Sequence, residues 1–276
     1  MKIYALSFLL FLQQVSLGGL FALAVTPFRV LERGFYKSTT AVLVVAALLN
    51  LWGKVDLFLK AKPSALGLWP KVELGIFILY CAFMILYLFT LWGEHVRLRA
   101  RAFSFSLLLG LLSLGAAAFD FHHAALWSVE TFLYPIGFVL SSLLLGGATV
   151  GMLMGHWYLI DSGQSLDPFW TIFRFFLIIL VVHTCFLFLA PAILYLLGNQ
   201  ATHVGLHRLW SEHMVLFSAR VLVSQVGPLV ICYMIWKTLK IPNTMAATGL
   251  FYIALLGVVV GELLGRQLLS LTALPL

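Results

Sequence analysis

The sequence predicts an all-α integral membrane protein: a bundle of about eight transmembrane helices with short loops, forming one domain over residues 1–276. Three observations carry this. The chain is 62% apolar and only 10% charged, with a mean hydropathy of +1.05. Apolar runs of about 20 residues, the length a helix needs to span a bilayer, recur from end to end. No stretch is long and polar enough to fold in water by itself, which excludes a soluble domain.

The spans follow in order, with proline and charge marking most boundaries. The first covers 3–26, stops at Pro27 and carries Gln13-Gln14 midway. Ala22-Leu23-Ala24 resembles a signal cleavage site only weakly, so this helix is expected to be retained. The second covers 36–53, and Pro63 follows in the loop. The third covers 70–92 and opens on Pro70. The fourth covers 102–121, behind a basic cluster at 97–101. The fifth covers 131–157 and contains Pro135. The sixth covers 169–197, begins after Pro168 and contains Pro191. The seventh covers 214–236 and contains Pro228. The eighth covers 244–271 and begins after Pro242. No internal repeat or low-complexity segment appears.

An even span number puts both termini on one side. Lys2, Lys54, Lys60, Lys62, Lys71 and Arg208 fall on that side. Arg29, Arg33, Lys37, Arg97, Arg99, Arg101, Arg174, Lys237 and Lys240 fall on the other. Nine against six favours termini outside and the 97–101 cluster in the cytoplasm. The net charge of +7 sits mostly in short loops and fits lipid headgroups, not nucleic acid. Cys81, Cys185 and Cys232 all lie in apolar runs. With no CxxC or CxxCH motif, nothing points to a covalently held cofactor or an iron–sulfur cluster. The longest loops, 54–69 and 198–213, offer little catalytic surface. Any chemistry is expected in the membrane or on a partner subunit.

An ionisable group inside a span costs roughly 2.5–3.5 kcal/mol on insertion scales and needs a reason. The candidates are His183 in span six, Arg220 and Gln225 in span seven, and Glu262 and Arg266 in span eight, with Arg174 near the start of span six. Glu262 and Arg266 are four apart and share a helix face. Gly261 and Gly265 are also four apart and let a neighbouring helix come close. Two readings stand: an ion pair that fixes helix register, or a polar pocket for a quinone headgroup or a proton path.

The phrase Gly261-Glu262-Leu263-Leu264-Gly265-Arg266 resembles the Gly-Glu-x-x-Gly-Arg of the membrane-anchor subunit of DMSO-reductase-type enzymes. The opening Ser7-Phe8-Leu9-Leu10-Phe11-Leu12-Gln13-Gln14-Val15-Ser16-Leu17-Gly18-Gly19 resembles that family's first helix. Eight spans with small loops also fit it and the related polysulfide-reductase membrane subunits. Where that family has an aromatic pair after the last Arg, this chain has Leu268-Leu269. The resemblance implies a quinone-reactive subunit without haem, binding menaquinone or ubiquinone, that docks an iron–sulfur or other redox subunit in a bacterial cytoplasmic membrane.

Gly147, Gly151 and Gly155 form a G-x-x-x-G-x-x-x-G face with Gly146 beside it, a seam expected to pack against another helix. His156, Trp157 and Tyr158 follow at the interface, where aromatic residues anchor helices. A second expectation attaches here. His156 and Tyr158 border a polar pocket with Asp161 nearby, and the histidine accepts a quinol proton that the carboxylate relays to water.

Haem b is the competing cofactor. His95 and His156 end spans on one side and could meet; His183 lies too deep for His156 and would need His122 or His123. No His pair spaced 13 or 14 apart on one helix appears, so the sequence does not favour haem. His203 and His207, near Glu212 and His213, could chelate a metal only if their loop were helical. A haem-carrying electron-transfer subunit, a transporter and a purely structural membrane subunit remain the alternatives. Transporters commonly show inverted repeats, and no such symmetry is visible.

Overall fold

The computed structural model describes residues 2–28, 30–60, 67–121, 127–161 and 163–276, without the side chains of Lys2, Ile3, Tyr4 and Asp120. Helices are α1 (Lys2–Val25), α2 (Arg33–Lys60), α3 (Leu68–Thr90), α4 (Val96–Asp120), α5 (Val129–Ile160), α6 (Asp167–Leu197), α7 (Gln200–Ser211), α8 (Met214–Val221), α9 (Gly227–Lys240) and α10 (Thr244–Thr272). A π-helical turn, Leu222–Val226, joins α8 to α9 into one continuous span. Among the described residues, eight spans are long and apolar enough to cross a membrane, and no strand occurs. The protein is a multi-pass integral membrane protein, with α1 beginning and α10 ending at the same face, here the terminal face.

The most buried spans are α1 and α5. In each, 67% of the most apolar window is buried inside the protein, against 22% for α2. They pack on each other in the middle of the bundle. On one side lie α2, α3 and α4; on the other lie α6, the α8–α9 span and α10. The α1–α5 crossing is close because two glycines meet there. A Cβ on Gly18 would overlap the Ser142 carbonyl, and one on Gly146 would overlap the Gly18 carbonyl. Apolar helices gain little from burial against each other in lipid, so such close backbone packing replaces the hydrophobic drive.

The glycine seam packs against two helices, α6 and α10. Gly147 faces the Phe175 ring and the Phe176 backbone of α6, while Gly151 faces the Phe251 ring and Gly155 faces Thr248 of α10. The seam therefore receives mainly side chains from two helices. Gly146, its neighbour, makes the tight backbone crossing.

Several spans are longer than the sequence indicates. α2 runs on to Lys60, because the charged turn at Lys54 is followed by Val55, Leu57, Phe58 and Leu59. α4 starts at Val96, so Arg97, Arg99 and Arg101 occupy its first turns, with Arg99 4.7 Å above the Phe28 ring. The 198–213 segment is not an open loop but contains α7. Asn199 Oδ1 caps it by accepting from Thr202 N at 2.9 Å, and buried Glu130 accepts from Thr202 Oγ1 at 2.6 Å. Leu206 and Leu209 of α7 pack with Leu268 and Leu274 at the terminal face.

Candidate functional site

Four elements bring a polar cluster together between α5, α6, the α8–α9 span and α10. Glu262 sits at its centre, fully buried. Arg220 Nη2 donates to Glu262 Oε1 at 3.2 Å, and Arg266 Nη2 donates to Glu262 Oε2 at 3.2 Å. Arg266 Nη2 also donates to Ser141 Oγ of α5 at 3.1 Å, and its guanidinium lies 5.2 Å above the Phe138 ring. His183 of α6 places Nε2 3.5 Å from Glu262 and 3.4 Å from Ser141 Oγ. Gln225 Nε2 donates to His183 Nδ1 at 3.1 Å, which leaves the imidazole proton on Nε2, toward Glu262. Thr184 Oγ1 donates to Gln225 Oε1 at 2.7 Å.

Local sequence explains each placement. Glu262 and Arg266 lie one turn apart on α10, as their spacing predicts. Gly265 leaves bare backbone where the Arg220 guanidinium lies, and a Cβ there would overlap it. Gly261 makes the same room for Ser224. The two glycines thus bring in particular side chains of span seven as well as a neighbouring helix. In a regular α-helix, residue 225 would lie about 140° around from residue 220. The π turn widens the spiral there, and Arg220, Ser224 and Gln225 are all buried together.

The charge does not balance. Two arginines, which stay protonated in proteins, face one carboxylate. Their N–H groups are not all used either: Arg220 Nε and Nη1 and Arg266 Nε and Nη1 are buried with no hydrogen-bond partner. Buried donors of this kind are rare and cost free energy unless an acceptor reaches them. The cluster therefore has the donors to take one or two acceptor oxygens.

A second buried ionic cluster lies in the other lobe. Lys54 of α2 pairs with Glu73 of α3 and donates to Gln13 Oε1 at 2.8 Å. Gln13 Nε2 donates to Ser113 Oγ of α4 at 3.0 Å, and Ser113 Oγ donates to Glu73 Oε1 at 3.1 Å. Neither Lys54 nor Glu73 stood out in the sequence: ending span two at Gly53 left Lys54 in a loop, so Glu73, near the start of span three, had no visible partner. The apolar residues after Lys54 were the signal that the helix continues.

The residues around the opening of the 161–166 loop take separate places. His156 is exposed, with Nδ1 3.4 Å from the Tyr252 hydroxyl. Tyr158 is buried, stacks on Phe169 and donates to the Ser165 carbonyl at 2.5 Å. Two residues apart on one helix, they point about 200° from each other. Asp161 accepts from Gly163 N at 3.3 Å and Gln164 Nε2 at 2.6 Å, tying the turn after α5. Among the described residues, these three side chains therefore take separate hydrogen-bond partners.

The other histidines fall as follows. His95 is exposed just before α4. His183 has both ring nitrogens engaged within the arginine cluster. His122 and His123 lie outside the described residues. His203 and His207 are both exposed on α7, and among the described residues no three His, Cys, Asp or Glu side chains converge to hold a metal ion. Arg174 is exposed, its guanidinium 5.8 Å from the Trp170 ring. No protein-family model matches the chain, and a search of curated proteins finds no match to it.

Proposed function

We propose that this chain is the quinone-binding membrane subunit of an electron-transfer complex in a bacterial cytoplasmic membrane. In this reading it anchors an iron–sulfur or other redox subunit, and the Arg220–Glu262–Arg266–His183 cluster receives the quinone headgroup. The observation that carries the reading is the set of four unpartnered guanidinium nitrogens in a buried site with excess positive charge.

The residues present fit such a headgroup. A quinone offers two carbonyl oxygens, acceptors only, to a site that has surplus donors and no surplus acceptor. When bound, it supplies two-electron chemistry coupled to the uptake or release of two protons. Arg220 and Arg266 hold an oxygen and favour negative charge on it as electrons arrive, an effect strengthened by the dry surroundings. Glu262 keeps the two guanidinium groups in place. His183 carries a proton at Nε2, on the side of the arginine pair, and Gln225 fixes that tautomer. The short loops and the resemblance of the first and last helices to the DMSO-reductase anchor family support a partner-dependent subunit.

The test is a melting measurement on the purified protein with menadione, a quinone headgroup without a tail. Menadione is expected to raise the melting temperature of the parent in a saturable way, because a ligand that binds only the folded state stabilises it. The variant Arg220→Met keeps Glu262 paired one-to-one with Arg266, and is expected to fold and to lose the shift. No shift in the parent with menadione or with a tail-less ubiquinone analogue would overturn the reading.

A further inference from the structure

A groove of about 570 Å³ opens on the lipid-facing side of α6 and α8, beneath α7. Its volume falls within the roughly 300–1,000 Å³ typical of small-molecule sites. Leu187 and Ala192 of α6, Val221 of α8, Leu222 of the π turn, and Leu206 and Trp210 of α7 line it, and no charged side chain does. Pro191, also in the wall, has no N–H to bond the Leu187 carbonyl, so α6 is locally loosened beside the groove.

The groove and the arginine cluster share their helices. Val221 follows Arg220 directly. Leu222 is three residues before Gln225, and Leu187 is four residues after His183. The groove therefore abuts the same turns that carry the cluster, Leu187 lying one turn along α6 from His183 on the same face. At that boundary Gln225 of span seven bonds two α6 residues, accepting from Thr184 Oγ1 at 2.7 Å and donating to His183 Nδ1 at 3.1 Å. On the outside, Leu222 of span seven and Trp210 of α7 are exposed.

We infer that this groove holds the polyprenyl tail of the quinone whose headgroup the arginine cluster receives. The inference rests on the headgroup reading and adds a lateral route. The tail lies against α6 and α8 with its free end in the lipid, and the headgroup passes inward where the Gln225 contacts to Thr184 and His183 open. A tail suits the groove because it is apolar along its length and joined to an acceptor-bearing head. That matches an uncharged groove that abuts a donor-rich site.

The experiment compares menadione with menaquinone-4, the same headgroup carrying a short prenyl tail, on the purified protein. Affinities come from titrated melting shifts of the parent, Ala192→Trp and Leu222→Trp. Both positions are exposed at the rim, so a larger side chain fills the groove without entering the core. Menaquinone-4 is expected to bind the parent more tightly than menadione. Each variant is expected to lose about tenfold or more in affinity for menaquinone-4, the equivalent of excluding two methylene groups. Menadione affinity should hold within about twofold, well inside one factor of ten.

Unchanged menaquinone-4 affinity in both variants overturns the inference, as does an equal loss for both ligands. Loss of co-purifying phospholipid with unchanged menaquinone-4 affinity places an acyl chain there instead. A change of oligomeric mass in the variants places a second copy of the chain there. Each of those outcomes leaves the headgroup reading standing. If menadione fails to bind the parent, the headgroup reading falls and this inference falls with it.

Discussion

The two lobes of the bundle each bury charge, yet they bury it in opposite ways. Around α2, α3 and α4, Lys54 and Glu73 cancel, and Gln13 and Ser113 complete the network without leaving a buried atom of those four residues unpartnered. Around α6, span seven and α10, two arginines share one carboxylate and leave four nitrogens without partners. Asn50, one turn from Lys54, is also unpartnered, but it is neutral. Buried charge alone is thus a poor marker of a site, because a saturated pair is a finished structural solution. Excess charge with unused donors leaves a recognition problem that a ligand can complete.

The comparison breaks first at Glu262. Glu262→Gln leaves two buried guanidinium groups without a counter-charge and is expected to cost about 3–5 kcal/mol, the usual loss on breaking a buried pair. Glu73→Gln should cost less, because the long Lys54 side chain can move its ammonium to the membrane surface. Chemical denaturation in detergent ranks the two variants. A Glu73→Gln loss as large as that of Glu262→Gln would make the lobes equivalent.

Between the lobes, Gly146→Ala tests the crossing that joins them. The new methyl group meets the Gly18 backbone, which has no side chain to move aside, and overpacking of this kind costs about 1–3 kcal/mol. Gly151→Ala meets only the Phe251 ring and should melt closer to the parent.

A paired replacement sharpens the contrast. Lys54→Met/Glu73→Met removes both charges together and should change stability little, since apolar replacements of buried ion pairs are often neutral or stabilising. It should also leave the menadione shift intact. Loss of that shift would make the first cluster part of the ligand site.

The smallest effect belongs to the surface. Arg33 Nη1 donates to Glu94 Oε1 at 2.8 Å outside the bundle, and this hydrogen bond holds the Glu94 carboxyl below its ordinary range. A depressed carboxyl contributes stability above its unfolded pKa and loses it as pH falls through its folded value. Because the pair is solvated, the acid limb of the parent's melting profile should differ only marginally from that of Glu94→Gln. A large difference would mean that the opposite face, not the buried clusters, carries the protein's pH dependence.

Composition and periodicity were enough for the membrane class and the eight spans, because a 20-residue apolar run has few other uses in a helical protein. The spacing of Glu262 and Arg266 was enough for a shared face, because that relation is set within one helix. What sequence could not supply was everything set between helices. Gln225 faces inward only because a π turn shifts the register after Arg220. Ser141 joins the cluster from α5, more than a hundred residues from Arg266 in the chain. Lys54 finds Glu73 only once α2 is known to continue past Gly53. His156 and Tyr158 are near neighbours in sequence and part company in space. Local helix geometry is written in neighbouring residues, but the pairing of helix faces depends on close crossings such as Gly18 with Gly146, and those are properties of the assembled bundle.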